Sequence, residues 1–85
     1  MAITAARVTA STSAVALNTA QAAGMTLVIT NTSANAADLG PSTVAAGAGY
    51  SLAGNASVTV QVRPNDVLYA IRSGGSDATL AILRS

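Results

Sequence analysis

Eighty-five residues with a net charge of +1, no cysteine and no histidine fit one small domain, and they exclude a disulfide framework, a zinc-type site and any thiol or imidazole catalyst. Lysine and glutamate are absent too, so Schiff-base chemistry and most acid–base pairs fall away, and the chain is expected not to be an enzyme. With charge spread this thinly, only two aromatic residues and no long apolar run, neither nucleic-acid binding nor a membrane span is expected.

The first stretch, residues 1–24, alternates weakly, with Val8 between Ala6 and Ala10 and Val15 two residues from Leu17. Thr9 to Ser13 is poor helix material, which predicts an extended N-terminal arm or an edge strand, with at most one helical turn over 19–23. No basic segment precedes an apolar one, and Arg7 stands where an apolar core would begin, which speaks against a secretory signal. Met25 to Asn31 alternates Met25, Leu27 and Ile29 with Thr26, Val28 and Thr30, and reads as a strand closed by the turn chemistry of Asn31-Thr32-Ser33. Loop-rich sequence follows to Asn55, punctuated by Gly40-Pro41 and several glycines, with short strands expected near 36–39 and 49–52.

Ser57 to Arg63 carries the clearest pattern. Val58, Val60 and Val62 alternate with polar residues, which predicts a half-buried strand ended by Pro64 and a turn at Asn65-Asp66. Val67 to Arg72 is apolar on both sides and predicts a central strand. Ser73-Gly74-Gly75-Ser76-Asp77 then offers a tight connection into a strand over 78–84, so the C-terminal third reads as a β-hairpin. The sum is an all-β fold: a small antiparallel β-sandwich or barrel of about six short strands, with 25–85 as the body and 1–24 as arm or edge strand, together one domain.

The remaining motifs have ordinary explanations. Asp38, Asp66 and Asp77 each neighbour turn residues, where an aspartate caps backbone N–H groups, and this accounts for them better than a carboxylate pair or a calcium site. Gly47-Ala48-Gly49 and Ser73 to Ser76 open no helix and precede no lysine, so they are turns and not phosphate cradles. No cofactor and no metal are expected. Tyr50 and Tyr69 suit core packing with a hydroxyl at the rim, and a tyrosine left exposed would instead anchor an interface.

The run Leu27-Val28-Ile29-Thr30-Asn31-Thr32, then Asp38-Leu39-Gly40-Pro41-Ser42-Thr43-Val44, Gly49-Tyr50-Ser51-Leu52 and Asp66-Val67-Leu68-Tyr69-Ala70-Ile71, resembles small virion proteins of tailed bacteriophages. The resemblance covers about residues 25–83; it departs from the usual pattern at Leu52-Ala53-Gly54-Asn55-Ala56-Ser57, which bears on the local turn. It implies a β-rich module that is made in the host cytoplasm and resides on the capsid surface. There it would decorate or cement the head by docking on the major capsid protein, as a homo-oligomer with a trimer favoured at three-fold positions. Similar modules occur in tails and fibres, which implies the alternative of a host-contacting adhesin using Tyr50 and the 45–49 loop. The expected interface residues are Arg7, Val8, Val15, Leu17 and Tyr50. Deleting the arm is expected to weaken particle binding and leave the fold intact.

Overall fold

A computed structural model describes residues 3–20 and 22–85; Met1, Ala2 and Gln21, within the predicted arm, lie outside the described residues. Among the described residues eight strands form: β1 (Thr4–Ala10), β2 (Val15–Ala16), β3 (Met25–Asn31), β4 (Ala37–Gly40), β5 (Tyr50–Leu52), β6 (Ser57–Val62), β7 (Tyr69–Arg72) and β8 (Ala78–Arg84). They build two four-stranded antiparallel sheets, one ordered β1-β8-β3-β6 and the other β2-β7-β4-β5, as a β-sandwich. Eight strands replace the expected six because residues 4–10 and 15–16 join the sheets.

Side-chain alternation builds the core. In β3, Leu27 and Ile29 point inward and are fully buried, while Val28 faces out. In β8, Ala78, Leu80 and Ile82 point inward, with Ala81 and Leu83 on the outer side. The second sheet answers with Ala37, Leu39, Leu52 and Ala70, and the valines of β6 pack half-buried against the same cluster.

The N-terminal segment is an edge strand and not a free arm. All seven residues of β1 pair with β8, from Thr4 opposite Arg84 to Ala10 opposite Ala78. The chain then crosses to the other sheet, where β2 pairs with β7. Ala10 and Leu17 are both fully buried. The alternation is weak in the sequence because the inward positions on β1 are Ala6, Val8 and Ala10, and alanine gives little contrast with small polar neighbours. Leu17, expected at an interface, belongs to the core: it sits at 0% exposure, its N–H donates to the Leu68 carbonyl at 2.8 Å, and its own carbonyl accepts from Arg84 Nε at 3.0 Å.

The expected C-terminal hairpin does not form either. β7 and β8 lie in different sheets, and the Ser73 to Asp77 connection carries the chain between them. β8 is apolar along most of its length and is best satisfied with a partner on each side; β1 and β3 each offer seven residues, whereas β7 offers four. An ion pair of 2.9 Å from Arg72 to Asp77 fixes the ends of this crossing.

Two buried asparagines hold the loops. Asn18 Nδ2 donates to the carbonyls of Thr19 and Asp66, both at 3.1 Å, and its Oδ1 accepts from Leu68 N–H at 2.8 Å, tying β2 to the approach of β7. Asn31 Nδ2 donates to Asn35 O at 2.6 Å and to Leu52 O at 3.2 Å, while its Oδ1 accepts from the N–H and hydroxyl of Ser33. Among the described residues no buried side-chain nitrogen or oxygen lacks a partner.

At Gly24 the chain turns into β3 with φ +70, and a Cβ there would stand 2.6 Å from the backbone oxygen of Val62. Gly24→Ala is expected to cost roughly 2–3 kcal/mol, combining left-handed strain with a clash that no side chain can relieve. A thermal melt of the variant measures it, and an unchanged midpoint would contradict this geometry.

Candidate functional site

The three aspartates are each taken up by a separate partner. Asp38 lies in β4, not in a turn; it is 1% exposed, and its carboxylate accepts the Gly47 N–H across the β4–β5 hairpin. The expected capping role holds in kind, with the cap reaching from strand to loop, and it fixes the path of residues 45–49 that leads to Tyr50. Asp66 Oδ1 accepts the N–H of Val67 at 2.9 Å, and Asp77 pairs with Arg72, an ion pair where a turn cap was expected. No group of three acidic side chains able to hold a metal ion occurs among the described residues. The described residues contain no helix, hence none long and apolar enough to cross a membrane.

What the fold offers is surface. The outer face of the β1-β8-β3-β6 sheet follows from strand register: Ala5 lies opposite Leu83 and Leu83 opposite Val28, and one step along, Arg7 lies opposite Ala81 and Ala81 opposite Thr30. Leu83 and Val28 are 45% and 37% exposed. With Ala5 and Ala81 they floor a shallow apolar groove of about 520 Å³, and Arg7 is the only charged residue lining it. The signal for this groove lay in parity. Once Leu27, Ile29, Leu80 and Ile82 take the inner side, Val28 and Leu83 must fall on the outer one, where polar residues are the rule.

A second apolar cleft opens at the side of the sandwich. At the β1–β2 side the connection after Ala10 is tied to the second sheet, where Ser11 O accepts the N–H of Arg72 at 3.1 Å. At the other side β6 and β5 are the edges of their sheets, joined only by the short turn of residues 53–56. Between them lies an open cleft of about 340 Å³ lined by Leu39, Gly40, Tyr50, Val58, Val60 and Leu68.

The five expected interface residues therefore do not form one patch. Arg7 is exposed on the outer groove, and Val8, its neighbour, points inward against the core. Val15 is half-buried in the two-residue β2, and Leu17 is inside. Tyr50, 63% exposed, stands at the side cleft, away from the β1 edge. Sequence reasoning missed Val28 and Leu83 as surface residues and Asn18 and Asn31 as buried ones. No protein-family model, curated protein or solved structure matches this chain.

Proposed function

We propose that this chain is a non-enzymatic structural protein of a bacteriophage virion that docks, as a homo-oligomer, on the major capsid protein and stabilises the head. The observation that carries the reading is the outer face of the β1-β8-β3-β6 sheet: an extended groove, apolar over Ala5, Val28, Ala81 and Leu83, with one charge at Arg7. A cement module needs no chemistry, only a rigid body that buries apolar surface repeatedly on a symmetric lattice. A sandwich in which, among the described residues, every buried side-chain nitrogen and oxygen has a partner supplies the rigidity. The order of the short segments between residues 25 and 83, similar to that of small tailed-phage virion proteins, supports the same reading.

The test is location and copy number. Mass spectrometry of purified particles should find many copies per head, and Leu83→Asp should cut head occupancy at least tenfold while circular dichroism of the free protein stays that of a β-sheet, because a charge would be buried unpaired at the contact. Full occupancy with the variant, or absence of the protein from particles, would refute the proposal.

A host-contacting tail or fibre module is the second reading, and one observation favours it: Tyr50 is exposed beside the exposed loop residues Ala45 to Ala48. It predicts few copies, on the tail, and binding of cell-wall glycan by the free protein that Tyr50→Ala abolishes.

A further inference from the structure

We propose that the open side of the sandwich is closed by a second copy of this chain, through antiparallel pairing of β6 with β6 across a two-fold axis. The inference stands on the edge strands alone and holds wherever the protein works.

Each sheet ends in two free edges, and proteins normally blunt such edges by shortness or charge. Three of the four are blunted here. β2 has two residues, β5 has three, and β1 carries Arg7 at its centre. β6 is different: its six residues, Ser57-Val58-Thr59-Val60-Gln61-Val62, hold no charge and no proline. Its inward valines are also only half-buried, because the cleft beside them is open.

An occupant of this edge must be extended and apolar at every second residue, and uncharged where it meets the cleft beside Val58 and Val60, whose lining holds no charged group; Asp66 lies only at the Val62 end. β6 has that pattern, so the edge is complementary to itself, as an isologous contact requires. Opposed residues of an antiparallel pair point to the same face. The register that keeps both sets of valines inward therefore places the two-fold axis on Thr59 or on Val60. Either choice joins the two side clefts, brings a Tyr50 from each copy to the seam and merges the outer faces into one eight-stranded surface. The product is a pair, where lattice positions suggested a trimer.

Sedimentation equilibrium of the full chain should give the mass of two copies. Thr59→Lys with Gln61→Lys changes two exposed outward residues and should raise the dimer dissociation constant at least tenfold with the β-sheet spectrum kept. The chain has no cysteine, so single substitutions report cleanly. Of Thr59→Cys and Val60→Cys, one should cross-link to a covalent dimer under mild oxidation, because opposed Cα atoms in an antiparallel pair fall within disulfide reach; Thr9→Cys on β1 should not. Should the lysine variant fail to fold, the cysteine pair decides. A single-copy mass up to millimolar protein, a three-copy mass, or no cross-link from either β6 cysteine would overturn the pairing. None of these outcomes touches head occupancy, which tests the capsid reading separately.

Discussion

Removal of residues 1–20 is expected to abolish cooperative thermal unfolding and leave a chain without a stable β-sheet spectrum. The deletion takes away β1, which is hydrogen-bonded along its whole length to β8, and exposes β8 as a new seven-residue apolar edge. It also takes Ala10 and Leu17 from the core and the Asn18 clasp from the β7 approach. Burial of one leucine contributes about 2–3 kcal/mol, and the ladder and clasp add several hydrogen bonds of about 1 kcal/mol each. A domain of this size has a total stability of only about 4–13 kcal/mol, so the loss matches or exceeds what holds it folded. A milder version isolates the core term: Leu17→Ala should cost about 2–5 kcal/mol. A truncated chain that still melts cooperatively would restore the picture of a dispensable arm, and an unchanged melt for Leu17→Ala would return that residue to the surface.

Asn31→Ala is expected to be nearly as damaging, at about 3–5 kcal/mol, lowering the melting temperature by more than about 10 °C. The side chain is fully buried and satisfies four groups at once: the carbonyls of Asn35 and Leu52, and the N–H and hydroxyl of Ser33. Alanine takes the side-chain bond from the Leu52 carbonyl in the core and frees the 33–35 loop. Asn31→Asp makes the complementary point, because a carboxylate keeps the bonds from Ser33 but cannot donate to the two carbonyls. It should be at least as destabilised as the alanine variant at neutral pH. Chemical denaturation with both variants checks this, and a loss under 1 kcal/mol for Asn31→Ala would show that water replaces the side chain.

Strands whose residues alternate strictly were legible with their boundaries: residues 25–31 and 78–84 match β3 and β8, and 57–63 differs from β6 by one residue. Their large inward side chains contrast with what lies between them. β1 was hard to see because its inward set is two alanines and a valine. Connectivity was not legible at all at Ser73 to Asp77. Five small residues with two glycines span a hairpin or a crossing between sheets equally well, and partner length, a non-local property, decides. The polar side was half legible: Asn31 was read as turn chemistry, and it does accept from Ser33, but its burial depends on β5 arriving from twenty-one residues away. Of the surface, Tyr50 was anticipated if exposed. The groove around Leu83 required knowing which face of β8 is covered.

The place of β8 between β1 and β3 has a consequence for how the molecule is made. Translation runs from the amino end, so β1 and β3 leave the ribosome before the strand that joins them exists. Until then the first sheet can hold only β3 with β6, and β1 has no ladder to enter. Nascent chains arrested before residue 78 should therefore be open to proteases and holdase chaperones, and acquisition of protection should be abrupt once β8 clears the exit tunnel.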